Sequence, residues 1–227
     1  MKTKLVKILA IVATATLAFS VNAADNAPES SVISGSVNLG FSDQNVYRGA
    51  DLGDDTLSVE TKLSGDIGSG VELFGGLVTD QSIDGGADQY YISSGIASKL
   101  FELDVTGGFL HSENVPGGAT GELFATASTD KLFNLAVAVY YELDDELWTV
   151  EAGVSESVDL KLAELNVHAC VGSTEVTSSD DRTYYVIGAS LNKALAEDVD
   201  IVVGVDYLDA DDSSDETALV AGLQYRF

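Results

Sequence analysis

Side chains able to do catalytic chemistry are scarce in this 227-residue chain, which has two histidines, His111 and His168, and one cysteine, Cys170. A single cysteine cannot build an internal disulfide or a Cys-rich zinc site. His168 and Cys170 stand two apart, so they share one face of a strand, but as a lone pair they read as passive side chains rather than a metal centre. His111 has Ser112 beside it, and neighbours along a strand point to opposite faces, which denies the pair a nucleophile–base geometry. The chain is therefore not expected to be an enzyme, and neither a cofactor nor a metal is implied.

Carboxylates are what the chain has in quantity. Asp plus Glu number 37 against 11 Lys plus Arg, a net charge of -26. That balance repels phosphate backbones, and nucleic acid is excluded as a partner. Seven acids, Glu60, Glu72, Asp104, Glu122, Glu151, Asp200 and Asp206, fall on one polar register, with only Lys62 and Arg226 as cations among them. Carboxylates gathered on one wall concentrate cations and repel anions. The simpler alternative is that they are solvated or paired groups with no role in selection. Arg48 stands near Asp43 and Asp51 and offers two readings: a cation folded into a constriction, or a residue that pins a loop. A second set of acids clusters between apolar segments: Asp51, Asp54, Asp55, Asp80, Asp84, Asp88, Asp144, Asp145, Glu146, Asp180, Asp181, Asp209, Asp211, Asp212, Asp215 and Glu216. They have no EF-hand order and read as a solubilising surface, although divalent ions could bridge them.

The elements that position these acids are strands. After Ser31 there is no run of 18 apolar residues and no convincing helical stripe, and apolar residues recur instead at every second position. Phe133, Leu135, Val137, Val139 and Tyr141 form one such face, and Val199, Ile201, Val203, Val205 and Tyr207 another. Twelve such segments are predicted, ending with Leu219, Ala221, Leu223, Tyr225 and Phe227. Connectors alternate between short ones, such as Gly65–Gly70 and Ser98–Leu100, and longer acidic ones, such as Ser42–Thr56, His111–Thr120 and Gly172–Arg182. An even strand count with alternating connectors is the pattern of an all-β, closed, antiparallel up-and-down transmembrane barrel. Lysines at 62, 99, 131, 161 and 193 recur about once per hairpin, as a regular meander would place them.

A soluble sandwich would turn the apolar face inward, and a membrane barrel turns it out to lipid. Aromatics at segment ends favour the barrel. Phe41, Tyr90, Phe109, Tyr141, Trp148, Tyr185 and Tyr207 would form one girdle, and Phe101, Phe133 and Phe227 the other. The opposite register is small and polar, as in Ser36, Asn38 and Gly40. The terminal ALVAGLQYRF resembles the insertion signal of outer-membrane barrels, which makes the barrel-assembly machinery an expected partner through Phe227. Upstream, Met1–Ala23 reads as a signal peptide, with Lys2, Lys4 and Lys7 before the apolar run Ile8–Ala18. Its removal takes three lysines and no acid, moving the charge from -26 to -29. Residues 24–31 form a short lead-in, and 32–227 the barrel.

The stretch Asn38–Asp55, NLGFSDQNVYRGADLGDD, resembles the opening of the TorF-type porin family. Ser42, Asp43, Tyr47, Arg48 and Gly49 match in kind, and Gln44-Asn45 replace the first aromatic of the motif. The resemblance implies a small channel in a Gram-negative outer membrane. The expected function is passive diffusion of small hydrophilic solutes, with a preference for cations. The alternative is a non-conducting barrel whose acidic loops bind cations, lipid or a partner.

Overall fold

The computed structural model describes residues 33–227 apart from 49, 54, 84, 85, 87, 116, 117, 132, 178, 179 and 212–214. The proposed signal peptide, the lead-in, and Asp54, Asp84 and Asp212 lie outside the described residues.

Among the described residues there are fourteen strands, and twelve of them close into one antiparallel barrel. These are β1 (Ile33–Ser42), β4 (Thr56–Gly68), β5 (Val71–Ser82), β6 (Asp88–Leu100), β7 (Leu103–Val115), β8 (Ala119–Thr129), β9 (Leu135–Glu142), β10 (Trp148–Asp159), β11 (Glu164–Thr177), β12 (Asp180–Ala196), β13 (Val199–Ala210) and β14 (Glu216–Arg226). The remaining two, β2 (Asn45–Tyr47) and β3 (Ala50–Gly53), form a separate hairpin inside the first loop. Each barrel strand pairs with its neighbour in sequence, and β1 closes against β14 from Ser36 opposite Arg226 to Ser42 opposite Val220. Phe227 finishes the seam, since its backbone and that of Gly35 exchange hydrogen bonds of 2.9 and 3.0 Å. A Cβ at Gly35 would lie 2.7 Å from the Phe227 ring, so the seam needs glycine there.

The pairing registers separate two faces. On the outside stand Val137, Val203 and Leu223, 41%, 46% and 44% exposed, with Phe41, Phe109, Trp148, Tyr185 and Tyr207 toward one end. On the inside stand polar and small residues. An apolar exterior around a polar interior is stable only against hydrocarbon, where a closed barrel leaves no strand edge unpaired. The outward register holds two exceptions to exposure, Val37 and Val59, which are buried.

Strands run further than the alternation suggested. Segments expected as loops at His111–Thr120 and Gly172–Arg182 are largely strand, so His111 lies within β7 on the outward register rather than opening a loop. Asp80, Asp88, Asp180, Asp181, Asp209 and Glu216, expected in loops, also stand in strands. The reason is that polar residues near a rim still pair their backbones, while alternation of apolar side chains reports only the band in lipid. Conversely Phe101 and Phe133, expected to end strands, occupy turns with φ of 58° and 52°. The first loop, 43–55, is thus the longest connection at its end of the barrel.

Candidate functional site

All seven acids expected on the inner wall are there, since each pairs across strands only with others of the inward register. Asp80 and Glu142, which the loop assignment had hidden, join them. Cations on the same wall are Lys62, Lys99, Arg182 and Arg226, and Arg48 reaches it from the first loop. Carboxylates remain in excess.

Most of these acids have a partner. At the end carrying the chain termini, Glu60 accepts from Lys62 at 2.7 Å and from Asn38 at 2.6 Å. Asp200 pairs with Arg226, and Lys99 stands 3.7 Å from Asp104. A cavity of about 460 Å³ opens here, lined in part by Lys62, Glu72, Phe74, Ser93 and Arg226. Higher up, His168 Nε2 lies 3.3 Å from Asp206, and both sit over Gly188, where a Cβ would fall 1.9 Å from the carboxylate. Cys170 shares the His168 wall but is not part of that contact. Among the described residues no group of three His, Cys, Asp or Glu could hold a metal ion.

The loop end is organised around Arg48. It follows β2 in the turn of the β2–β3 hairpin with φ of 48°, a left-handed conformation that costs an arginine about 1–2 kcal/mol. The turn projects its guanidinium across the lumen to β8, four strands away from β4 round the barrel. There Nη1 and Nη2 donate to the two Glu122 oxygens at 2.7 and 2.8 Å, and the guanidinium carbon lies 3.9 Å from the centroid of Tyr140 on β9. Glu122 is 6% exposed. This is a parallel two-bond fork, the strong form of an arginine–carboxylate pair. Nearby, Tyr184 donates to Glu151 and lies over Gly172, and Ser58 donates to Asp80 at 2.6 Å. A second cavity, of about 200 Å³, lies on this side and includes Arg48, Glu122, Tyr140, Glu142, Thr149 and Arg182 in its wall.

An aromatic arc joins the two levels. Phe74 and Phe124 point inward although they are apolar, with ring centroids 6.3 Å apart, and Phe124 is 6.2 Å from Tyr140. Between them Gly95 and Gly108 face each other on β6 and β7. A Cβ at either would come within 3 Å of a phenylalanine ring and within 2.3 Å of a backbone oxygen. The rings therefore lie along the wall over the glycines. Sequence reading passed over both phenylalanines because it collected apolar residues of the outward register, although their inward parity set them apart.

Arg48, open between a constriction cation and a loop pin, ties the first loop to the inner wall through Glu122. Its partner Glu122 stands 74 residues away.

No family model matches the chain, and no curated protein matches it. Solved structures do. The KdgM porin superposes with a TM-score of 0.55 at 14% identity, covering 85% of this chain and 99% of KdgM. A KdgM porin in complex with disordered oligogalacturonate gives 0.53 at 13% identity, over 86% of this chain and 99% of that one. The translocator domain of the autotransporter NalP from Neisseria meningitidis gives 0.54 at 13% identity, over 99% and 98%. Porins and translocators alike share this barrel. The chain has the fold of outer-membrane barrels.

Proposed function

We propose that this chain is a narrow, cation-preferring channel of a Gram-negative outer membrane, exported by its Met1–Ala23 leader. Small hydrophilic solutes cross down their gradient through a water-filled lumen, and no cofactor takes part. The observation that carries the reading is the inner wall itself: Glu60, Glu72, Asp104, Glu122, Glu151, Asp200 and Asp206 all face the lumen, in excess over the cations beside them. Ion pairs reduce that excess without removing it, because Asp80 and Glu142 add to it from the same wall. A low-dielectric barrel wall focuses the remaining negative field on the pore axis.

The resemblance of Ser42, Asp43, Tyr47, Arg48 and Gly49 to the TorF-type opening supports the same reading. Ser42 ends β1, and Tyr47 and Arg48 stand in the hairpin of the first loop, which on this reading narrows the lumen. The KdgM complex holds oligogalacturonate, a carboxylate-bearing chain. The carboxylate-rich wall here disfavours such a solute and points to cations or neutral molecules. Phe227, which closes the β1–β14 seam, is proposed to be read by the barrel-assembly machinery, and outer-membrane lipid covers the apolar band.

Reconstitution of the full chain in planar bilayers under a potassium chloride gradient tests the function. Discrete conductance steps with a reversal potential on the cation side are expected. Silence of protein that still shifts on a gel when boiled would replace the channel with an anchor whose acidic loops bind a ligand.

A further inference from the structure

Glu122 and Tyr140 form a site in their own right, and Arg48 is its tethered occupant. Two surfaces meet there at right angles to one another in function: a buried carboxylate that accepts two parallel N–H bonds, and a ring face that takes a cation at 3.9 Å. Neither feature is general for cations. A spherical ion or an ammonium cannot give both oxygens of the fork a parallel N–H bond and also offer the ring a planar face, whereas a planar guanidinium can do both.

The surroundings give this place room and aromatic surface. One cavity, of about 200 Å³, has Glu122, Tyr140 and Glu142 in its wall, and the larger one at the terminal end, about 460 Å³, has Phe74. The rings of Phe74, Phe124 and Tyr140 follow one another at 6.3 and 6.2 Å, so aromatic side chains run from the wall of one cavity to that of the other. Arg48 arrives from outside the wall, on a hairpin tip held in a left-handed turn, and not from a barrel strand. Lifting the tip vacates the site without breaking any strand pairing of the barrel.

We propose that the Glu122–Tyr140 cradle binds guanidinium-bearing solutes, which exchange with Arg48 as they pass the constriction. This rests on the channel reading for its purpose, but the binding itself does not need conduction. A short tether gives Arg48 an effective concentration in the millimolar range or above, so free ligand competes poorly in the wild type. Removing the Arg48 guanidinium uncovers the site.

The test is titration calorimetry of the detergent-solubilised full chain with methylguanidinium chloride, and with tetramethylammonium chloride as the non-planar comparison. In Arg48→Gln, methylguanidinium should bind one to one, about tenfold or more tighter than in wild type, and tetramethylammonium should not. Adding Glu122→Gln to that variant should remove the binding. A Tyr140→Leu version in the same background gives a second reading, with weakened but measurable affinity, and boiling gels confirm that each barrel is folded. Equal affinity for the two cations, or binding indifferent to Glu122→Gln, would overturn the site. Binding without conductance would sink the channel reading and leave the site standing. Conductance without this discrimination would do the reverse.

Discussion

Two ion pairs inside one lumen show how burial changes the meaning of the same chemistry. Arg48 and Glu122 are 10% and 7% exposed at the side chain and meet through two short hydrogen bonds. Lys99 and Asp104, near the terminal end, are 61% and 60% exposed and stand 3.7 Å apart. The first pair holds a loop across the barrel against the strain at Arg48, and losing either partner leaves a desolvated charge. The second joins neighbouring strands that are already paired through their backbones, and water screens both groups. One end of the lumen is therefore set by side chains and the other by the sheet.

The sharpest way to break this comparison is Glu122→Ala. It strands a buried guanidinium, a change worth about 3–5 kcal/mol, and the loss falls on the loop because the barrel pairings do not depend on Arg48. Trypsin should then cut after Arg48 in folded protein, while wild type resists. Resistance in both would mean that the loop is held by something else. A smaller effect is expected between the two ends, at Gly95→Leu. Its side chain would meet the Gly107 carbonyl oxygen at 2.3 Å and the Phe74 ring at 2.7 Å. Overpacking of this kind costs about 1–3 kcal/mol, so the folded gel band should be lost at a lower temperature than in wild type. An unchanged transition would show that both the Phe74 ring and the Gly107 backbone give way at no cost. Lys99→Ala should be the mildest, shifting stability by less than about 0.5 kcal/mol in urea unfolding from vesicles. A loss comparable to that of Glu122→Ala would erase the distinction between the ends.

The barrel was legible because lipid imposes a period of two on side chains, and each of the twelve alternating segments corresponds to a strand of the closed sheet. The same parity placed Glu60, Glu72, Asp104, Glu122, Glu151, Asp200 and Asp206 on the inner wall, since any residue one step from Val59 or Val105 must face the other way. Parity fails where lipid ends. Asp80 reads as a loop residue because it lies beyond the apolar band, yet its strand continues and turns it inward, as β9 does for Glu142. Cross-lumen contacts carry no period at all. The tie from Arg48 to Glu122 spans 74 residues and joins a loop to a strand, so neither residue's neighbours announce it. The Gly95–Gly108 pair beneath Phe74 and Phe124 was hidden for a related reason: glycine reads as a weak strand residue until the ring above it is known.

The most direct measurement is single-channel conductance of Arg48→Ala beside wild type under a potassium chloride gradient. Freeing the lumen of the cation that spans it should raise the conductance and move the reversal potential further toward the cation side, because Glu122 is left without its partner. An unchanged conductance, or a reversal potential on the anion side in both proteins, would contradict a carboxylate-lined pore narrowed by its first loop.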